Sequence, residues 1–201
     1  YALEVNYHGT KNIVDALLKY KIKWFFFAST SHVYNSSLKK ISEKKFTNPV
    51  SFYGSTKLKA EKYILRKLKN TKIKYCIGRI FSTANINQKK NYLVPDLINK
   101  IKHSKKKIIL NNLNHYRDFI SMETIDNIIF TLFKKKFSGT INIGSGKMIH
   151  LEDIAKHILK KYRKKAYFVK NKIQTTFCAD TKQLKKYYKA RLNIKIKEII
   201  S

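Results

Sequence analysis

Tyr53 and Lys57 stand four residues apart in Tyr53-Gly54-Ser55-Thr56-Lys57, a spacing that puts both side chains on one face of a helix. A free phenol titrates near ~10 and is a poor base at neutral pH. A neighbouring ammonium favours the phenolate, which can then take a proton from a hydroxyl. Tyr-x-x-x-Lys also arises by chance in a lysine-rich chain, so the pair alone decides nothing. A second stretch, Trp24-Phe25-Phe26-Phe27-Ala28-Ser29-Thr30-Ser31-His32-Val33-Tyr34, is an apolar run that ends in hydroxyls. Ligands of open α/β sheets sit beyond the carboxyl ends of strands, which is where Ser29, Thr30 and Ser31 fall. Serine and threonine also end strands as ordinary turn formers.

These groups need elements to hold them. Apolar positions at helical spacing predict helices over about 3–20, 53–68, 95–101, 123–133 and 151–159. Short apolar runs predict strands over 22–29, 73–80, 108–110, 119–120 and 140–143, with a turn at Gly144-Ser145-Gly146. Helical and strand-like segments alternate, which indicates an α/β protein with a parallel sheet. The 201 residues are 43% hydrophobic and 13% aromatic, enough for a real core and incompatible with wholesale disorder. No apolar run approaches the ~20 residues of a membrane helix. The opening residues show no basic segment followed by an apolar one, so no signal peptide is expected. Cys76 and Cys178, without a CxxC pair, read as reduced thiols, and the sequence predicts a cytoplasmic location.

The formal net charge of +32 normally points to nucleic acid or an anionic surface. Here the basic residues are overwhelmingly lysine and spread over the whole chain. Arginine, the residue suited to bidentate phosphate and base recognition, occurs only at Arg66, Arg79, Arg117, Arg163 and Arg191. The expectation is a solvated lysine shell with no nucleic-acid partner. A basic binding protein on the same fold is the rival reading.

Taken together and in order, the motifs resemble the extended short-chain dehydrogenase/reductase family of nucleotide-sugar epimerases and dehydratases. Ser29-Thr30 at a strand end is followed by Pro49-Val50-Ser51-Phe52-Tyr53-Gly54-Ser55-Thr56-Lys57-Leu58-Lys59-Ala60-Glu61, with Glu43 before the proline. Asn6-Tyr7-His8-Gly9-Thr10 resembles the family's Asn-x-x-Gly-Thr helix, and Arg117-Asp118-Phe119-Ile120 its Arg-Asp-aromatic-Ile segment. Asn142-Ile143-Gly144-Ser145-Gly146 resembles a further strand and turn of the family.

The resemblance implies roles. Tyr53 would exchange a proton with a sugar hydroxyl while hydride moves between sugar carbon and nicotinamide. Lys57 would lower the phenol's pKa and hold the nicotinamide ribose, and Thr30 would hydrogen-bond the sugar oxygen. Phe81 would lie beside the nicotinamide, Ser82 would contact the sugar, and Arg117 would pair with the substrate's diphosphate. The implied cofactor is NAD or NADP, the implied substrate a nucleotide sugar, and the implied assembly a homodimer. Dehydratases of the family carry an Asp-Glu pair where this chain has Ser31-His32, which leaves epimerase as the expectation and ketosugar reductase as its alternative. His32 reads as a local hydrogen-bonding residue or a substrate contact.

The Gly-rich turn that binds the dinucleotide's pyrophosphate in this family is absent. The expectation is therefore a Rossmann fold lacking its N-terminal half. Residues 1–82 would carry Tyr53 and Lys57. Residues 83–201 would form a smaller substrate-binding region, with about 118–145 returning to the sheet. A strand at 22–29 without a neighbour on one side should make the isolated chain poorly soluble and a weak binder of NAD.

Overall fold

The computed structural model describes residues 1–84, 88–105, 107–169, 173–192 and 194–200. The expected loop residues Asn85 and Asn87 lie outside the described residues. The strands are β1 (Trp24–Thr30), β2 (Lys74–Ile80), β3 (Ser82–Thr83), β4 (Ile108–Leu110), β5 (Tyr116–Arg117), β6 (Phe119–Ile120), β7 (Gly139–Ile143), β8 (Ile149–His150), β9 (Ala166–Phe168) and β10 (Thr176–Phe177). The helices are α1 (Gly9–Leu17), α2 (Phe52–Leu68), α3 (Leu93–His103), α4 (Met122–Lys134), α5 (Leu151–Lys161), α6 (Leu184–Tyr187) and α7 (Ile196–Ile199). A π-helical turn at Glu4–His8 leads into α1, with the Gly9 N–H donating to the Glu4 carbonyl.

Three strands make the central sheet in the order β1-β2-β7, all parallel. Thr30 is level with Ile80, and Ile80 with Ile143, so the carboxyl ends of the strands line up. Both faces are covered, which is why the strands read as nearly continuous apolar runs. On one face Phe27 and Ile77 pack with Val14 of α1 and with Ala60, Tyr63, Ile64 and Leu68 of α2. On the other, Cys76, Ile141 and Ile143 pack with Ile125, Ile128 and Leu132 of α4. β1 lies at the edge of this sheet, as the sequence leads one to expect.

A separate cluster holds the second half of the chain together: Val94, Leu97 and Ile101 of α3 pack against Ile154, Ile158 and Leu159 of α5, beside Ile108 and Leu110 of β4. α3 begins two residues before the expected Pro95. Proline is harmless there, because the first turn of a helix has no partner for its N–H. β3, β5, β8, β9 and β10 are only two or three residues long and show no period of their own in the sequence. Among the described residues no lysine is buried, and lysines lie on most elements.

Candidate active site

The site forms where the first turn of α2 meets the carboxyl end of β1. Ser51 caps α2, its Oγ accepting from the Gly54 N–H at 3.1 Å. After β1 the chain makes a 3₁₀ turn at Ser31–Val33, capped by Thr30, whose Oγ1 accepts from the His32 N–H at 3.2 Å. Gly54 presses directly on this turn: a Cβ there would run into the His32 carbonyl. Only glycine permits that approach, and the approach sets the first turn of α2, with Tyr53 on it, against the carboxyl end of β1 beside Thr30. Thr30 is buried, while Tyr53 remains 45% exposed beside it. Thr56, buried one turn on, donates to the Tyr53 carbonyl at 2.8 Å and accepts from Asn6 Nδ2 at 3.2 Å. The Asn6-x-x-Gly9-Thr10 segment therefore braces the same helix.

Lys57 follows Tyr53 by one turn, but its charge is directed elsewhere. Nζ donates to the Ala28 carbonyl at 2.9 Å and lies 4.8 Å from the centre of the Phe27 ring. Burial raises the phenol's pKa above its ordinary value, the Thr30 side chain opposes that rise, and Tyr92 adds to it. Burial lowers the pKa of Lys57, with Glu61 acting the other way.

Behind this pair lies a buried polar chain absent from the sequence reading. Ser29 Oγ donates to Glu61, and Arg79 grips the same carboxylate through Nη2 at 2.6 Å and Nε at 3.1 Å. Arg79 Nη1 donates to the Tyr34 hydroxyl at 2.7 Å, which donates to Asn142 Oδ1 at 2.9 Å. Asn142 Nδ2 ends the chain on the Ile41 carbonyl at 2.8 Å. Helix α2, all three central strands and the loop after β1 are thereby tied through one buried ion pair. An arginine inside the otherwise apolar run 76–80 was the available signal, since a buried cation demands a carboxylate.

A cleft of about 430 Å³ opens beside Tyr53, lined among others by His32, Ser82, Tyr92, His115 and Arg117. The His32 ring stacks on Phe177 at 5.9 Å and meets Tyr53 edge-on at 6.1 Å. The Arg117 guanidinium lies 5.2 Å from the centre of the Phe177 ring. Ser82 and Arg117 thus share one cleft, with Tyr53 at its border through His32. Phe81 is 5% exposed and packs with Val33, Tyr34, Leu58 and Phe177 beneath the site. A larger groove of about 670 Å³ lies at the opposite, amino-terminal ends of β1 and β2, between Trp24 and Phe133. It contains none of these groups.

The turn Gly144-Ser145-Gly146 is occupied by the protein itself. Asp118 accepts from the Ser145 N–H at 2.7 Å, the Ser145 hydroxyl at 2.6 Å, the Gly146 N–H at 2.9 Å and the Ala179 N–H at 3.0 Å. A Cβ on Gly144 would come within 2.7 Å of the same carboxylate. The Arg-Asp and Gly-Ser-Gly motifs are therefore two halves of one structural contact, in which Asp118 takes the amides of Ser145 and Gly146.

Residues 1–144 match the model of the NAD dependent epimerase/dehydratase family, and the chain belongs to that family. The dTDP-D-glucose 4,6-dehydratase of Homo sapiens is 27% identical over 158 residues, covering 78% of this chain and 45% of that protein. The GDP-6-deoxy-D-talose 4-dehydrogenase of Aggregatibacter actinomycetemcomitans is 30% identical over 146 residues, covering 71% of this chain and 49% of that protein. The chain thus spans about half the length of these curated relatives. Among solved structures, the UDP-glucuronic acid 4-epimerase from Bacillus cereus in complex with UDP-glucuronic acid and NAD superposes with a TM-score of 0.86 at 25% identity. That match covers 97% of this chain and 64% of the other. The fold is the Rossmann fold of this family, in the part these residues span.

Proposed function

We propose that this chain carries the Tyr–Lys catalytic region of an NAD(P)-dependent nucleotide-sugar epimerase. The observation that supports it best is the packing of Gly54 against the turn after Thr30, which sets Tyr53 at the carboxyl end of β1 with Lys57 one turn further along α2. Tyr53 is open enough to meet a substrate hydroxyl, and Thr30 can share that oxygen.

The described residues fit one end of a nicotinamide dinucleotide. Ala28 is exposed on the edge strand, and half-exposed Tyr53 stands beside Lys57, leaving room for a ribose against that edge. Tyr53 and Lys57 would hold this end. No glycine among the described residues offers a diphosphate cradle, since Asp118 takes the amides of the only Gly-x-Gly turn. When bound, the nicotinamide would supply the hydride acceptor and donor.

As the phenolate, which the ammonium of Lys57 favours, Tyr53 would take the proton of the sugar hydroxyl as the carbon is oxidised and return it after reduction. Thr30 orients the oxygen throughout. Ser82 contacts the sugar, Arg117 meets the diphosphate, and Phe81 supports the cleft floor from below. Residues 83–201 would form the substrate region, and the faces of α1 and α2 a homodimer contact. The two-step dehydratase chemistry of some relatives is disfavoured by Ser31-His32, where dehydratases carry Asp-Glu. A ketosugar reductase is the second reading, and the talose dehydrogenase relative supports it.

Tyr53→Phe in the full-length polypeptide, assayed on UDP- and GDP-hexoses, tests the proposal. Turnover should vanish while nucleotide-sugar binding persists. Near-normal turnover would remove Tyr53, and the reading with it.

A further inference from the structure

Arg117 is a half-buried cation whose partners are all neutral. Nη1 donates to the Tyr116 carbonyl at 2.8 Å and the Thr175 carbonyl at 3.1 Å, and Nη2 to Thr175 Oγ1 at 3.0 Å. Among the described residues no carboxylate forms an ion pair with it, and its Nε–H makes no hydrogen bond. A guanidinium withdrawn from water without a counter-charge is costly. Such a group is ready for an anion.

The same threonine fixes a histidine. The Thr175 N–H donates to His115 Nδ1 at 3.1 Å, and Thr175 Oγ1 lies 3.1 Å from that nitrogen. A backbone amide can only donate, so Nδ1 is the acceptor and the ring proton belongs on Nε2. Thr175 Oγ1 accepts from Arg117, which leaves its own proton for Nδ1. Protonating Nδ1 would break this relay and add a second positive charge beside Arg117 and near His150. Burial, and after it the charges of Arg117 and His150, lower the pKa of the imidazole. His115 and Arg117 line the same cleft.

We propose that His115 is an uncharged second donor at the anion-binding end of this cleft, locked in its Nε2–H form by Thr175, and that it binds a diphosphate together with Arg117. This rests on the nucleotide-sugar reading above. A neutral donor orients the phosphoryl oxygens without adding a second positive charge beside Arg117. Thr175 lies outside residues 1–144, so the segment that sets this tautomer is not part of the family match.

Imidazole nitrogen NMR on the full-length polypeptide, with inorganic pyrophosphate as probe, tests this directly. His115 should show a protonated Nε2 and a bare Nδ1 before any ligand is added, and pyrophosphate should shift the Nε2 signal. His115→Gln keeps one acceptor and one donor and should bind pyrophosphate within about threefold of the parent. His115→Leu should lose roughly ten- to a hundredfold, the value of a hydrogen bond to a charged group. A proton on Nδ1, or parent-like binding by His115→Leu, overturns the role of His115 and leaves the nucleotide-sugar function standing. If pyrophosphate moves no resonance of the cleft, including those of Arg117, the anion site and that function fall together.

Discussion

Glu61 of α2 and Arg79 of β2 meet at 2.6 Å with side chains 1% and 7% exposed, and through Ser29 and Tyr34 they fix α2 to the sheet. Removing one partner leaves a buried charge without compensation. Glu61→Gln or Arg79→Leu should each cost about 3–5 kcal/mol in urea unfolding. The double variant Glu61→Leu/Arg79→Leu should lose much less than the sum of the two. Additive losses would mean the pair is not coupled as the geometry indicates.

Gly54 offers a sharper handle on the site. Gly54→Ala introduces a methyl against the His32 carbonyl, and the helix must back away. Stability should fall by about 1–3 kcal/mol, and turnover of the full-length polypeptide should fall far more than nucleotide-sugar affinity. Unchanged turnover would show that the Tyr53–Thr30 contact does not depend on this close approach.

The phenol of Tyr53 has its own pH signature. Its pKa is raised, chiefly by burial, so without ligand it is neutral at pH 7. A pKa higher in the folded than in the unfolded chain means that its contribution to stability is present below the ordinary ~10 and is lost as pH rises through the folded value. Thr30→Val removes the polar neighbour that opposes burial and should push the phenol higher still. Ultraviolet titration against Tyr53→Phe isolates this one phenol, and a downward shift in Thr30→Val would contradict the assignment.

Both thiols should be silent in the native protein. Cys76 and Cys178 are fully buried, and burial pushes each pKa up to about 12. At pH 8 roughly one molecule in ten thousand would carry a thiolate at either site. An aromatic disulfide reagent should react with neither until urea is added, and then with both. Because the folded values are raised, the stability these thiols confer is present below the ordinary ~9 and declines as pH climbs toward 12. Rapid native labelling would contradict the burial.

Much of this was written in the sequence. The long elements announce themselves because β1, α2, β2 and α4 each bury a continuous or periodic apolar set. Gly54 packs against the turn after Thr30, so the first turn of α2 adjoins the end of β1. The direction of Lys57 was hidden, because spacing places an ammonium near a phenol without saying that the Ala28 carbonyl would claim it. Phe177 and Thr175 were hidden for another reason. β10 is two residues long, has no period, and reaches His32 and Arg117 across more than fifty residues of chain. Asp118 stands in a recognisable motif, yet the donors to its carboxylate arrive from two distant segments that only the folded chain brings side by side.

The position of β1 at the rim of the sheet has a practical consequence. Its outer margin presents peptide groups along a seven-residue ribbon backed by Phe25, Phe26 and Phe27, a template that another strand can join. A short β-peptide supplied in trans pairs with that margin by strand addition, and one that carries a fluorophore turns the exposed edge of β1 into a reporter of its own occupancy.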